Sequence, residues 1–232
     1  MKQAKGLMGF WADIDPPYIQ EYRRWHNCEH MLERVSIPGF ISGRRYCGVG
    51  DAAMFFMYYE TETPDVLASD AYHAALNSPT PWTGEALKHF RNPARNIYRL
   101  IESAGSALRD AQPFVATIRF NLAGNDASIV QDYVSKTLPE LAARPEFKRV
   151  RLWQVDEGIS GIMTSERKIY GGGPGSQKYL LLMELMAELP AMEPAKLPGL
   201  TPTSVEKHRD IFTEGGWLDF ALQSPDANTK PA

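Results

Sequence analysis

The sequence predicts an α+β chain of two tandem βαββαβ halves whose sheets close on each other as one intrachain barrel. Three observations carry this expectation. Pro38-Gly39-Phe40, Arg44 and Tyr46 recur 107 residues later as Pro145-Glu146-Phe147, Arg151 and Trp153. The apolar run from Met8 to Ile14 falls on Val115 to Leu122 at the same offset. Finally, a split βαβ sheet carries helices on one face only, so its bare face needs a cover that a second copy supplies.

The first half is expected over residues 1–105. Residues 7–14 are short and apolar and read as a strand. Asp15-Pro16-Pro17 opens a helix with an acidic cap and early prolines. Pro38-Gly39 stops that helix near Ile37. Residues 41–49 and 53–60 are two strands joined by a turn at Gly48-Val49-Gly50-Asp51. Thr63-Pro64 opens a second helical region that reaches about Phe90, and residues 96–101 form the fourth strand.

The second half is expected over residues 112–232, after a linker near Ser103 to Pro113. Phe114 to Leu122 is its first strand, 127–142 its helix and 148–155 its second strand. An insertion near 156–177 follows. Its Gly171-Gly172-Gly173-Pro174-Gly175 run lacks the spacing of a dinucleotide loop and reads as a flexible hairpin tip. Tyr179 to Leu185 resumes as the third strand. A final helix is expected over 204–222, and the polar tail from Ser224 is expected to fray.

Composition limits the function. The 232 residues are 44% hydrophobic and 23% charged, with a formal net charge of -3. A core of ordinary size is available, and nothing attracts a polyanion, so no nucleic-acid partner is expected. No apolar run is long enough to span a bilayer, and the N-terminus reads as a first strand, not a signal peptide. Two cysteines, Cys28 and Cys47, are too few for a disulfide framework. A cytoplasmic location fits.

The candidate site lies on the first helix. Tyr18, Tyr22, Trp25 and Leu32 form one apolar stripe, and Glu29 sits on it. A carboxylate facing an apolar sheet is costly unless paired or protonated, and burial moves it toward the range useful for proton transfer. His26 borders the stripe and His30 lies one turn on. An ion pair between Glu29 and Arg44 or Arg45 is the structural alternative. At the repeat offset His26 becomes Tyr133, Glu29 becomes Lys136 and His30 becomes Thr137, so the polar cluster belongs to one half while the fold positions recur. His73 and Asn77 share a face of the second helical region, beside Tyr72 and Trp82, and are expected to approach the cluster. Glu29, His30, His26 and His73 are the catalytic candidates. Tyr22, Trp25, Tyr46, Tyr58, Tyr72 and Trp82 are expected to wall an apolar pocket, with Asn77 beside it and Arg44 or Arg45 clamping a substrate carboxylate.

The run Trp25-His26-Asn27-Cys28-Glu29-His30, then Glu33-Arg34, Pro38-Gly39-Phe40 and Arg44-Arg45-Tyr46, resembles the first helix and second strand of the dimeric α+β barrel superfamily, ferredoxin-like and EthD-like in type. The resemblance covers about the first hundred residues and more weakly the second copy. It implies a pocket between sheet and helices, and a cofactor-free isomerase, cyclase or lyase acting on a small aromatic or ketonic compound, with Glu29, His30 and His26 as acid and base. The superfamily also includes monooxygenases and haem binders, so a non-catalytic haem or apolar-ligand module is the rival expectation. Members usually carry one half per chain and dimerise. This chain carries two, so a homodimer is compatible but not required. His26-Asn27-Cys28-Glu29-His30 also has the His-x-x-Glu-His order of the inverzincin metallopeptidases, in which two histidines one turn apart hold zinc. The leading expectation assigns no metal and no organic cofactor, and a small molecule as the only obligatory partner.

Overall fold

A computed structural model of the chain describes residues 3–106, 111–122, 126–186 and 208–225. Eight strands form one closed antiparallel barrel. They are β1 (Gly6–Ile14), β2 (Phe40–Gly48), β3 (Phe55–Thr61), β4 (Phe90–Gly105), β5 (Phe114–Leu122), β6 (Phe147–Val155), β7 (Tyr179–Leu185) and β8 (His208–Gln223). Their order around the barrel is β1-β3-β2-β8-β5-β7-β6-β4. The first four and the last four strands therefore repeat one arrangement. The ring closes where β2 pairs with β8 and β4 with β6. Full closure removes both sheet edges.

Outside the first half lie helices α1 (Ile19–Trp25), α2 (Met31–Val35), α3 (Asp70–Asn77) and α4 (Pro81–Ala86). Helices α1 and α2 run into each other through a π-turn, His26–His30, where the Met31 N–H donates to the His26 carbonyl. The second half carries α5 (Asp126–Asp132) and α6 (Leu138–Ala143), joined by a π-turn at Tyr133–Thr137. The two π-turns lie at the repeat offset, so this widened turn belongs to the fold. Gly39 ends the first helical run at φ 90, and a Cβ there would stand 2.6 Å from Val66 Cγ2. Only glycine takes that conformation without strain.

Strand alternation divides the side chains between two environments. One set faces the barrel interior: Leu7, Trp11, Tyr46, Phe56, Tyr58, Tyr98, Trp153 and Leu182 are all buried there. The other set faces the helices, with Met8, Phe10, Met57 and Tyr59 under the first half and Ile118, Phe120, Leu152 and Leu181 under the second. The interior also holds a charge network. Arg44 Nη1 lies 3.1 Å from Glu60 and 3.2 Å from Glu184. Arg151 pairs with the same two carboxylates, as does Arg149. Arg44 and Arg151 are equivalents at the repeat offset. Glu60 and Glu184 occupy matching places on β3 and β7, paired with Leu7 and Val115. The first strands therefore match one residue off the offset read from sequence. Each arginine bridges its own half and the other, so the network joins the halves through the barrel centre.

Four sequence expectations are corrected. The final segment is strand β8, not a helix over 204–222, because closing the barrel requires a strand between β2 and β5; residues 204–207 lie outside the described residues. Ser224, where the tail begins, is held by its N–H donating to the Ile41 carbonyl at 2.8 Å, and residues 226–232 of the expected frayed tail lie outside the described residues. The insertion after β6 forms α7 (Glu157–Gly161) and α8 (Ser165–Tyr170), which pack on the first half instead of extending as a hairpin. Its glycine run is anchored, since the Gly173 carbonyl accepts from the Arg95 N–H at 3.1 Å and Gly172 lies against Pro93. Finally, Leu32 is 52% exposed while Met31, Arg34 and Val35 are buried. The π-turn adds a residue and shifts every later position round the helix.

Candidate functional site

A cavity lies between the outer face of the first-half sheet and its helices. Met8, Phe10 and Met57 rise from the sheet, beside Tyr59 and Arg95. The first helical run contributes Trp25, His26, His30 and Arg34, and α3 contributes Tyr72 and Leu76. Leu87 and Phe90 close one side, and Thr164, Glu166 and Tyr170 of the insertion close another. The space open to the centre of a water molecule is about 40 Å³, room for roughly three waters at ~10–15 Å³ each. A larger ligand requires a wall to move.

Histidines and arginines supply the polar groups. The His26 and His30 rings lie 5.6 Å apart, and the Trp25 indole lies 4.5 Å from His30. Tyr59 Oη is 3.3 Å from His26 Nε2. Nδ1 of each histidine is buried without a hydrogen-bond partner among the described residues. Burial, then the Arg45 and Arg34 charges, holds His26 well below the usual imidazole range. Burial, Arg34 and His26 do the same to His30. Both rings are therefore held in the neutral form. Buried Arg34 is hydrogen-bonded to Glu166 across the halves and lies 3.1 Å from Glu33. Burial pushes Glu166 up, against the pull of Arg34. Arg95 donates to Tyr72 Oη at 3.1 Å, and among the described residues no carboxylate stands within ion-pair distance of it. Burial pushes the Tyr170 phenol up to about 12.

The insertion is a built wall. Arg167 donates to the carbonyls of Ser160, Gly161, Ile162 and Gly172, tying α7 to α8 and to the glycine run. Ser160 Oγ bonds the backbone of Ile97, and Asn77 Oδ1 accepts from the Ser165 N–H at 2.9 Å. Tyr170 packs edge-on to Phe10 at 5.3 Å.

Of the residues singled out from sequence, His26, His30, Trp25 and Tyr72 meet at this cavity. Glu29 does not. It is half-buried, and its Oε1 accepts from Thr80 at 2.6 Å and Thr83 at 2.9 Å. Thr83 Oγ1 also accepts from Trp25 Nε1 at 3.0 Å, so this chain of bonds fastens the first helix to α4. The carboxylate is neither on the cavity nor paired with Arg44 or Arg45. His73 lies outside the cavity walls, and Asn77 serves as the tie to Ser165. Trp82 donates to Glu21 at 3.0 Å on the outer surface. Tyr22 lies in the core with its hydroxyl on Met57 Sδ. Arg44, Tyr46 and Tyr58 point into the barrel, on the opposite face of the sheet. Arg45 points outward but pairs with Asp219 at 2.8 Å. The expected arginine clamp is thus corrected: alternation sends neighbouring side chains to opposite faces, and both arginines are already paired.

The sequence reading did not assign Arg34, Tyr59, Arg95, Glu166 or Tyr170 to the site. Arg34 stood within the first-helix motif, but its inward direction depends on the π-turn. Arg95 shares its strand face with apolar Ile97, an alternation that marks a charge on a covered face. Glu166 and Tyr170 arrive from the other half and carry no local signal. The metal reading of His26, Glu29 and His30 meets a geometric obstacle, since the carboxylate turns to the threonines while both imidazoles turn to the cavity. Among the described residues no group of three His, Cys, Asp or Glu side chains converges as a metal site. No described helix is long and apolar enough to cross a membrane.

No family model and no curated protein matches this sequence. Solved structures do. An anthrone oxidase-like protein superposes with a TM-score of 0.66 at 7% identity, covering 99% of this chain and 97% of that one. A protein from Fusobacterium nucleatum subsp. nucleatum, provisionally named a monooxygenase, gives a TM-score of 0.59 at 7% identity over 96% of both chains. A mutant chlorite dismutase from Candidatus Nitrospira defluvii gives 0.54 at 10% identity over 94% of this chain and 93% of that one. At such identities the likeness establishes the ferredoxin-like α+β barrel fold and nothing finer.

Proposed function

We propose that the first-half cavity is the active site of a cofactor-independent enzyme acting on a small aromatic or ketonic metabolite by proton transfer, in the manner of EthD-like isomerases, cyclases and lyases. The observation that carries this reading is the pair of imidazoles, each with a buried Nδ1 that has no partner among the described residues, on a cavity lined by six aromatic rings, four aliphatic or thioether side chains and the Arg34–Glu166 pair. A neutral imidazole has a free lone pair to receive the proton of an activated C–H or a phenol, and the substrate anion formed in the same step offsets the cost of the buried imidazolium. His30 and His26 take the proton-transfer roles, with Tyr59 orienting His26 through Nε2. Glu29 positions the helix that carries them. Trp25, Phe10, Phe90 and Tyr170 hold a flat ring by its faces and edges.

A second reading is favoured by the anthrone oxidase-like and monooxygenase neighbours. In it the same histidine deprotonates a phenolic ketone and dioxygen is the co-substrate. The rival haem module requires the cavity walls to move farther than a small aromatic ligand does.

The test is deuterium exchange at the activated methylene of anthrone in heavy water, followed by NMR, with dioxygen uptake recorded alongside. His30→Ala and His26→Ala are each expected to slow exchange by about 10²–10⁴-fold. Dioxygen uptake coupled to exchange selects the second reading. Unchanged exchange in both variants refutes the assignment.

A further inference from the structure

We infer that the cavity takes an aromatic monoanion and that Arg95 is the group that holds its charge. The inference rests on reading this cavity as the substrate site and names the substrate class. Two guanidinium groups line it, Arg34 and Arg95, against one carboxylate, Glu166. Arg34 and Glu166 are hydrogen-bonded to each other, and Arg34 also holds Glu33 at the rim. The two histidines are neutral. Arg95 has no carboxylate within ion-pair distance among the described residues, and its side chain bonds the Tyr72 hydroxyl.

Arg95 is half-buried, and the carboxylate that acts on it, Glu166, is hydrogen-bonded to Arg34 instead, so an entering anion gives Arg95 the direct partner it lacks among the described residues. A second donor stands ready. Arg95 donates to the Tyr72 oxygen, and among the described residues the Tyr72 proton has no acceptor of its own. Arg95 and Tyr72 therefore offer convergent N–H and O–H donors to one anionic oxygen group.

The backbone holds Arg95 in place from two sides. It pairs with Phe10 on β1, and its N–H donates to the Gly173 carbonyl at 3.1 Å. The glycine run of the insertion thus helps to position Arg95. A Cβ at Gly172 would stand 2.6 Å from Pro93 Cγ, so only glycine passes close enough to make that bond. The remaining walls near Arg95 are the rings of Phe10, Tyr72 and Tyr170, which suit a flat hydrocarbon bearing the charge. The anionic oxygen belongs to a carboxylate or to an ionised phenol, and the experiment separates these sources.

The full chain is titrated calorimetrically at pH 7 with benzoate, pentafluorophenolate and benzamide, and the titrations are repeated on Arg95→Met and Arg95→Gln. At least one anion is expected to bind about tenfold or more tightly than benzamide, the usual advantage of a charge-assisted pair. Both variants are expected to lose that preference, keep their benzamide affinity and melt no lower than the parent. A merely structural arginine would instead cost stability. Preference for benzoate assigns a carboxylate, and preference for pentafluorophenolate assigns a phenolate. Equal binding of all three probes by the parent, binding of none, or a preference that survives both substitutions overturns the inference. Anion preference that persists while both histidine variants exchange deuterium normally leaves this inference standing and sinks the proton-transfer reading alone.

Discussion

Replacing Glu184 by glutamine removes one of two carboxylates from the barrel interior and leaves three guanidiniums around Glu60. Glu184 is fully buried, 3.2 Å from both Arg44 and Arg151, bonded to Arg149, and accepts the Tyr58 hydroxyl at 3.0 Å. Removing one partner from such a network strands charge in low dielectric and costs about 3–5 kcal/mol. Against a total stability of about 5–15 kcal/mol, that is a large share. Urea unfolding at pH 7, followed by tryptophan fluorescence, is expected to show that loss, with a melting temperature lower by roughly 6–20 °C. The transition should remain single, because the network spans both halves. Arg149 supplies an internal control. Its counterpart in the first half is Ser42, so Arg149→Ser lowers the charge imbalance. The double variant Glu184→Gln, Arg149→Ser is expected to lose less than Glu184→Gln alone, a coupling that a double-mutant cycle reads directly. A loss below about 1 kcal/mol for Glu184→Gln, or simple additivity in the cycle, would refute the view that this network joins the halves.

Three further outcomes are expected. His26 and His30 have folded values well below the 6.5 of the free side chain. The unfolded chain therefore binds more protons below that pH, so stability is complete above about pH 6.5 and falls below it, by about 1.4 kcal/mol per pH unit for each histidine. Unfolding curves between pH 7 and 5 check this, and His26→Gln with His30→Gln should flatten the slope. Glu60 and Glu184 act in a separate, more acidic window. Burial pushes both carboxyls up, but their three arginines outweigh it and hold them low, so their contribution stands above about pH 4.5 and is lost as the pH falls through the lowered folded values. Glu29→Ala is expected to cost about 1 kcal/mol, the worth of its two partly exposed threonine bonds, while leaving anthrone exchange within a few fold of the parent. A loss of exchange as deep as that of His30→Ala would return Glu29 to the chemistry.

Local pattern along the chain was enough to reveal most of the strands, the two halves and the residues that recur between them. Arg44 with Arg151 and Tyr46 with Trp153 were legible because a repeat preserves local alternation at fixed spacing. The first helix was legible as the carrier of His26 and His30, since only there do two imidazoles share an apolar helix. Packing settled the rest. A one-residue difference sent Arg44 into the barrel and Arg45 toward the helices, and alternation does not say which face a second half will cover. A π-turn, invisible to a 3.6-residue period, turned Leu32 out and Arg34 in. The last segment became β8 because the closing barrel offered two unpaired edges, and that demand comes from strands distant in sequence. The insertion's role as a wall, with Glu166 on Arg34 and Gly173 on Arg95, depends on contacts between halves. Local pattern specifies what an element is, while its neighbour in space is fixed by the packing of the whole chain.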